Sequence, residues 1–141
     1  STFDCVENNL GVSKEVSSFV LTLGSTVNSD GAAIYQGVAA LFVAQVYGID
    51  LSITQQLTIV LTGTLASLGA AGVPGAALIM LTMVLGSVGL PLDGVALVAG
   101  VDRILDMART TINVTGDASA AVIVANSEGE LTYPVSHQLN A

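Results

Sequence analysis

Basic residues are scarce in this chain, which has three Lys and Arg against 11 Asp and Glu and a formal net charge of −8. Proteins that bind nucleic acid present a basic face to the phosphates, so this balance argues against a nucleic-acid partner. The same scarcity leaves too few positive charges in the loops to orient the chain in a membrane. Several of the acids lie inside apolar segments, where they are better explained as cation ligands than as a solvated surface.

Cysteine and histidine are equally rare, with one of each. Cys5 cannot form a disulfide within the chain, and Cys5 with His137 gives no credible zinc site. No Ser-His-Asp set is predicted, because His137 lies in the tail. Gly72-x-x-Gly75 lacks the strand and the Lys of a phosphate-binding loop, and no signal peptide is visible. Without a catalytic Ser-His-Asp set, a zinc site or a phosphate-binding loop, the sequence predicts that the protein is not an enzyme.

Charge is also sparse overall, at 10% of residues, whereas 52% are hydrophobic and the mean hydropathy is +0.76. A typical soluble domain is about 25% charged. Residues 51–92 contain no ionisable acidic or basic side chain, and about 20 apolar residues suffice for a helix to cross a bilayer. The composition predicts a membrane protein, with a fully buried soluble helical core as the alternative.

The first third of the chain predicts the end of a helix in Ser1–Leu10 and then a helix with a break. Ser13 is a typical N-cap for an apolar helix over Val16–Val27. Residues 28–31, Asn-Ser-Asp-Gly, interrupt it, and the helix resumes over Ala32–Tyr47. In a bilayer the freed carbonyls of such a break must face protein or a polar cavity, where they suit hard cations. A plain loop between two short helices is the alternative.

The next segment predicts a helical hairpin, with arms at Ser52–Leu68 and Ala76–Val88. Its tip, Gly69–Gly75, has three glycines and Pro74 among small residues, which end one helix and start another. Small residues let the backbone approach a ligand closely, which favours a re-entrant hairpin. A pair of membrane-spanning helices is the alternative.

A last helix is predicted from about Val95, after an Asp93 cap, to beyond Ile123, followed by an exposed coil at Leu131–Ala141. One stripe of this helix, about 80° wide, carries the polar side chains Asp102, Asp106, Arg109, Asn113 and Asp117. Ionised groups facing lipid cost several kcal/mol each. The stripe must therefore face protein, water, ions or a charged ligand.

The stripe has the chemistry of a site for an acidic solute and cations. Arg109 offers a planar fork of donors that matches a carboxylate, and Asp106 suits an ammonium group. Asp102 can hold Arg109 in place, Asn113 can bridge a ligand carboxylate and a cation, and Asp117 can ligate Na⁺. The alternative is an internal salt-bridge ladder of Asp102, Asp106 and Arg109, which leaves the surplus of acids unexplained. An intramembrane protease is disfavoured, because the adjacent Arg109 keeps both acids ionised.

Three motifs in this order resemble the dicarboxylate/amino acid:cation symporter family, which includes the sodium-coupled glutamate and aspartate transporters. They are the N-S-D-G-A break, the A-G-V-P-G-A hairpin tip and the D-x-x-x-D-x-x-R-x-x-x-N-V-x-G-D helix. The likeness extends from about Cys5 to Leu131. It implies an all-α, multi-pass protein of the cell membrane that carries out sodium-coupled symport of an acidic amino acid or a C4-dicarboxylate.

The resemblance also implies an architecture: a homotrimer in which each protomer has a static scaffold and a transport domain that moves as an elevator. Residues 1–131 would be the C-terminal part of the transport domain, and residues 132–141 an exposed tail. The implied elements are the second arm of hairpin 1 (Ser1–Leu10), broken helix 7 (Val16–Tyr47), hairpin 2 (Ser52–Val88) and helix 8 (Val95–Val124). Membrane lipid, the scaffold and the N-terminal transport-domain helices would be the partners of this segment.

Site residues follow from the resemblance by position. Asp106 would bind the substrate amino group, Arg109 its side-chain carboxylate and Asn113 its α-carboxylate, with Thr110 and the gate residues Val73 and Ala77 beside them. One sodium ion would use Gly24, Asn28, Asn113 and Asp117. A second would use Thr26 and the carbonyls of Ser67, Leu68 and Ala70, and a third would involve Asn28 and Asp30.

Three departures from the family pattern bear on function. Ser29 stands where the family usually has Met, and Ala32 stands where it usually has a Thr whose hydroxyl helps to hold the substrate carboxylate. Gln36 replaces the Glu that carries a proton in the animal glutamate carriers, so coupling to protons and potassium of that type is not expected. The alternative function is a fragment or engineered membrane subdomain that keeps the fold without transporting.

Overall fold

The computed structural model describes residues 1–69, 73 and 75–132. Within these ranges the chain is mainly α-helical, and its β-structure is an isolated antiparallel bridge between Val12 and Leu131. This confirms the all-α class predicted from the sequence. The chain divides into two compact units, a first unit of Ser1–Asn28 with Val114–Ala141 and a second unit of Ser29–Asn113.

The first unit begins with a short helix α1 (Thr2–Asp4), which continues into a π-helical segment at Cys5–Asn9. Helix α2 follows at Lys14–Val27. Its predicted N-cap is confirmed, because the Ser13 hydroxyl accepts a hydrogen bond from the Val16 backbone N–H at 3.3 Å. A serine in this role satisfies one of the backbone donors that the first turn of a helix leaves free.

The second unit is built on three helices, α3 (Asp30–Val46), α4 (Ile53–Gly69) and α5 (Ala76–Ser87), which pack against one another. Ser52 and Gln55 form a reciprocal cap at the start of α4, each side chain accepting from the backbone N–H of the other. The core of this unit is made of small and branched apolar side chains, among them Ala40, Val43, Ile59, Leu81, Val84 and Leu85.

The interruption between α2 and α3 is shorter than the sequence predicts. Helix α2 ends at Val27, and only Asn28 and Ser29 lie between it and the first residue of α3, Asp30. Asp30 and Gly31 are helical, although the sequence pattern places them in the break. An acidic side chain in the first turn is favoured by the positive end of the helix dipole, which explains why the helix starts at Asp30.

The predicted last helix is in fact two helices, α6 (Gly94–Ala99) and α7 (Asp102–Glu128). The break falls at Gly100 and Val101, where glycine costs about 1 kcal/mol relative to alanine in a helix. Asp93 occupies the N-cap position of α6 without the expected side-chain hydrogen bond. Its own backbone is helical (φ −59°, ψ −21°), whereas a capping side chain acts from a residue with extended backbone.

Helix α7 divides its residues between the two units. In the first unit its buried alanines, Ala121 and Ala125, pack with Val6, Val12 and Val16. Leu131 is paired with Val12 in the isolated bridge, so the coil predicted over Leu131–Ala141 does not begin at Leu131. Residues 133–141 lie outside the described residues.

Much of the predicted hairpin tip also lies outside the described residues, namely Ala70, Ala71, Gly72 and Pro74. Gly75, at the start of α5, has a left-handed backbone with φ +78°. Helix α4 carries an exposed apolar row that includes Ile53, Leu57 and Leu65. Among the helices of residues 1–69 and 75–132, none combines the length and the hydropathy needed to cross a membrane.

Candidate functional site

Arg109 is the centre of the candidate site in the second unit. It lies on α7 and is 7% exposed. Its Nη1 is 3.1 Å from Asp102 Oδ1 and its Nη2 is 2.9 Å from Asp106 Oδ1. The ring of Tyr35, on α3, covers the guanidinium, with 4.2 Å between the Arg109 Cζ and the ring centroid. The cation is therefore held by two carboxylates and by a cation–π contact.

The two carboxylates around Arg109 are not equivalent. The side chain of Asp102 is 15% exposed and its Oδ1 also lies 3.5 Å from the Tyr35 hydroxyl, whereas the side chain of Asp106 is 51% exposed. Asp102 is thus a built-in partner of Arg109, and Asp106 is the partner that solvent or a ligand can reach. The salt-bridge ladder that the sequence left as an alternative is present, and it leaves two acids sharing one base.

Gly31 allows α3 and α7 to approach closely beside this cluster. Its backbone N–H donates to Asn113 Oδ1 at 2.8 Å. A Cβ at position 31 would lie 2.5 Å from the Arg109 carbonyl oxygen and 2.9 Å from the Arg109 Cα. Both are backbone atoms that no side-chain rotation can move, so a glycine is needed for this approach.

A largely apolar cleft of about 450 Å³ lies between α3 and the α6–α7 segment of the same unit, with Arg109 in its wall. Its walls include the side chains of Ile34, Val38 and Phe42 on α3 and of Val101 on the other side. Apolar walls lower the local dielectric, which strengthens the interaction of Arg109 with a bound anion.

The first unit holds a second polar cluster, around Asp117. Asp117 is 8% exposed, and its Oδ1 accepts a hydrogen bond from Asn28 Nδ2 at 2.8 Å. Gly24 faces the same carboxylate so closely that an added Cβ would overlap it. The cluster brings together three of the residues predicted to hold sodium, and it offers the amide and carboxylate oxygens that hard cations prefer.

The other predicted cation ligands are placed differently. The Thr26 and Ser67 hydroxyls donate within their own helices, to Leu23 O at 2.8 Å and to Thr64 O at 2.7 Å. Asp30 and Leu68 are exposed, and Ala70 lies outside the described residues. Across the part of the chain that the structure describes, no group of three His, Cys, Asp or Glu side chains is close enough to hold a metal ion.

The remaining predicted substrate contacts are also distributed over the second unit. The Thr110 hydroxyl donates to the Asp106 carbonyl at 2.9 Å, within α7. Val73 is exposed and Ala77 is buried. The Ala77 carbonyl accepts a hydrogen bond from Gln36 Nε2 at 3.1 Å, which links α3 to the first turn of α5.

Two residues of the Arg109 cluster are not predicted by the sequence, Tyr35 as its aromatic cover and Gly31 as its point of close approach. A signal is present, since residues four apart on a helix share a face. Gly31 and Tyr35 have that spacing, with Gly31 as the last residue of the predicted break. What the sequence does not reveal is that this face of α3 meets Arg109, which lies more than 70 residues further along the chain.

The described residues form an all-α fold that combines a buried, acid-paired arginine with a separate carboxylate–amide cluster. Comparison with known proteins identifies the family. The profile of the sodium:dicarboxylate symporter family matches residues 1–127. The chain therefore belongs to the sodium:dicarboxylate symporter family, a family of transporters, as the sequence resemblance predicted.

Individual relatives are identical to this chain at about half of the aligned positions. An excitatory amino acid transporter of Caenorhabditis elegans is 54% identical over 123 residues, which is 87% of this chain and 24% of that protein. A proton/sodium-glutamate symport protein of Geobacillus stearothermophilus is 48% identical over 86% of this chain and 29% of that protein. A proton/glutamate-aspartate symporter of Escherichia coli is 52% identical over 84% of this chain and 27% of that protein. The chain thus spans about a quarter of the length of these relatives.

Proposed function

We propose that this chain carries most of the substrate and cation site of a multi-pass cell-membrane symporter that couples an acidic amino acid to Na⁺. The observation that carries the proposal is the position of Arg109 between two carboxylates of different exposure, Asp102 at 15% and Asp106 at 51%. The names of the relatives support an acidic amino acid as substrate and sodium as a coupling ion.

Binding by this site is an exchange of partners. The side-chain carboxylate of the substrate replaces Asp106 on the Arg109 Nη2, and the released Asp106 takes the substrate ammonium group. Asp102 keeps its contact with Nη1, so Arg109 stays in place beneath Tyr35 during the exchange. Each charge removed from one partner meets a new partner of opposite sign, which avoids the cost of leaving a charge unpaired in an apolar setting.

This exchange favours an acidic amino acid over a C4-dicarboxylate. A dicarboxylate can also displace Asp106 from Arg109, but it brings no ammonium group for the released carboxylate. Asp106 would then be left as an additional unpaired negative charge beside a dianionic ligand. Leaving a charge unpaired costs several kcal/mol in a buried site, and the cost is smaller at Asp106, whose side chain is half exposed to solvent.

Sodium is assigned to the cluster of Gly24, Asn28 and Asp117 in the first unit. Asp117 is almost fully buried, and among the described residues its carboxylate is paired with the neutral amide of Asn28 and with no cationic side chain. A buried carboxylate without a positive partner attracts a cation from solution. The gate role of Val73 and Ala77, the broken and re-entrant helices, the elevator movement and the trimer are proposed from the family resemblance.

The test compares two ligands and two variants by calorimetry on the detergent-solubilised chain in Na⁺. L-Aspartate is expected to bind more tightly than succinate, which lacks the ammonium group. Asp106→Asn should weaken aspartate binding and narrow its advantage over succinate, because the neutral asparagine forms no ion pair with an ammonium group and needs no cation. Asp93→Asn, which changes an exposed acid at the start of α6, is the matched control. Equal affinities for the two ligands in the parent chain would refute the exchange.

The second candidate function is the alternative given in the sequence analysis, a chain that keeps the fold without transporting. In this alternative, the chain is a non-transporting piece that keeps the fold and binds substrate and Na⁺. Uptake of radiolabelled aspartate into proteoliposomes, with and without Na⁺, separates the two functions. We expect no uptake by this chain alone, because the proposed carrier also needs the scaffold and the N-terminal transport-domain helices.

A further inference from the structure

Helices α2 and α7 run antiparallel within the first unit and are tied at both ends. At one end, Asn28 and Gly24 meet Asp117. At the other end, the Ser13 hydroxyl donates to the carboxylate of Glu130. From Asp117 to the end of α7 the helix extends about 17 Å at 1.5 Å per residue, so the second tie is remote from the proposed cation cluster.

The remote end is fastened by backbone bonds as well as by side chains. The Thr132 N–H donates to the Gly11 carbonyl at 2.7 Å, next to the bridge between Val12 and Leu131. Gly11 has the left-handed φ of +74° that this close pairing requires. The tie between Ser13 and Glu130 is therefore part of a defined junction between the start of α2 and the residues after α7.

The middle of the pair has few fully buried apolar side chains. They are Val16 and Leu21 on α2 and Ala121 and Ala125 on α7, with partly buried residues such as Val20 and Val122 packed beside them. Helix register is set by side-chain ridges that fit into grooves, and an alanine surface presents only shallow ones. Because the alanines contribute little to register, the polar contacts at the two ends of the pair are expected to contribute to the alignment.

We infer that Glu130 is a positioning residue that, through Ser13, sets the register of α2 against α7 and so keeps Asp117 beside Gly24 and Asn28. This inference rests on the proposed role of Asp117 in binding sodium. Glu130 itself touches neither ion nor substrate. Its effect on the cation cluster passes along α7, because a helix transmits a shift at one end to residues further along its axis.

The first test measures sodium affinity in the full chain, as the Na⁺ concentration at half-saturation in a calorimetric titration at constant ionic strength kept with choline. Glu130→Ala removes the acceptor for Ser13 and should raise this concentration about tenfold, which corresponds to about 1.4 kcal/mol. Glu130→Gln retains an acceptor oxygen and should restore most of the affinity. Glu128→Ala removes an exposed carboxylate from the same end of α7 and should leave the sodium dependence unchanged.

The second test measures register directly and does not depend on sodium binding. Spin labels at Phe19→Cys and Ile123→Cys, both exposed positions on the two helices, are introduced in a Cys5→Ser background. Their distance distribution should be narrow in the parent and in Glu130→Gln, and shifted or broadened in Glu130→Ala.

The two tests separate this inference from the proposed function. If Glu130→Ala leaves either the label distance or the sodium dependence unchanged, while the parent responds to sodium, Glu130 does not position the cluster. If the parent itself shows no response to Na⁺, the proposed sodium site fails. In that case the spin-label distances still test whether Glu130 sets the register of the two helices, independently of sodium binding.

Discussion

Arg109 is a long, flexible side chain that is fixed in one place by groups on two helices. Asp102 and Asp106 hold its two terminal nitrogens, and Tyr35 lies against its face. An arginine suits this arrangement because its planar fork presents several donors in fixed directions, whereas a lysine presents a compact point charge. At the proposed site, the guanidinium is therefore already oriented before a ligand binds, which reduces the entropy lost on binding.

Replacing Arg109 by alanine is expected to abolish binding of acidic ligands. The substrate carboxylate would face Asp102 and Asp106 with no positive charge between them, so the loss should be at least about 100-fold in affinity, or roughly 2.7 kcal/mol. Calorimetry with L-aspartate in Na⁺ measures the loss. The control is Arg103→Ala, which removes an exposed arginine from the same helix. Equal aspartate affinity in the parent and Arg109→Ala would show that this residue does not bind the ligand.

The Tyr35 ring and its hydroxyl should contribute differently. The ring lies 4.2 Å from the Arg109 Cζ, whereas the hydroxyl is at the long distance of 3.5 Å from Asp102 Oδ1. Tyr35→Phe keeps the cation–π contact and should change aspartate affinity less than about twofold, whereas Tyr35→Leu should weaken it about fivefold, the equivalent of roughly 1 kcal/mol. The same calorimetric titration measures both variants. A large loss in Tyr35→Phe would instead assign the main role to the hydroxyl.

At the scale of elements, the spacing of α3 and α7 depends on one glycine. Gly31→Ala would place a methyl group 2.5 Å from the Arg109 carbonyl oxygen, so the helices must separate, at a cost of about 1–3 kcal/mol. Gly37→Ala is the matched control in the same helix, because nothing lies within 4 Å of an added Cβ there. It should stabilise α3 by roughly 0.5–1 kcal/mol, since alanine is the better helix former.

Chemical denaturation in detergent, followed by circular dichroism, measures both glycine variants. The sign of the change is the decisive result, since one substitution should lower the midpoint and the other should raise it. If both variants were destabilised by similar amounts, glycine would be required along α3 for a reason other than the close approach to Arg109.

Local signals explain which elements are predictable. The Ser13 cap, the polar interruption at Asn28 and the Gly75 start of α5 each depend on one residue type acting on its own backbone. The division between α6 and α7 is not predicted because Gly100 and Val101 sit in an apolar context, where a single glycine in a helix is often tolerated. Asp93 takes the predicted N-cap position, but its side chain makes no capping hydrogen bond because its backbone is helical, and the sequence does not state that backbone conformation.

The candidate site is predictable only along α7. The spacing of Asp102, Asp106 and Arg109 is sufficient by itself to place them on one face of a helix. The contribution of α3 does not follow from spacing, because the pairing of Tyr35 with Arg109 and of Gly31 with Asn113 depends on tertiary packing. Helical periodicity identifies the face that is buried, but it does not identify the surface that this face meets.

At the scale of the whole molecule, the acidic surplus should make substrate binding depend on Na⁺. Asp102, Asp106 and Arg109 together carry one net negative charge, and an acidic amino acid adds another. Two uncompensated negative charges next to an apolar cleft are unfavourable unless cations bind as well. Linkage then requires that sodium raise the affinity for substrate, and that substrate raise the affinity for sodium, by the same factor.

Titrations with L-aspartate across a series of Na⁺ concentrations, at constant ionic strength kept with choline, measure this coupling in the full chain. If at least one Na⁺ binds together with each aspartate, the affinity should rise about tenfold or more for each tenfold rise in Na⁺ in the unsaturated range. Asp117→Asn removes the buried charge of the cation cluster and should flatten this dependence, while Glu128→Ala, an exposed acid on the same helix, should not. If aspartate affinity in the parent chain is independent of Na⁺, the negative charges of the site and the substrate are compensated within the protein. The surplus of acids then has no part in coupling to sodium.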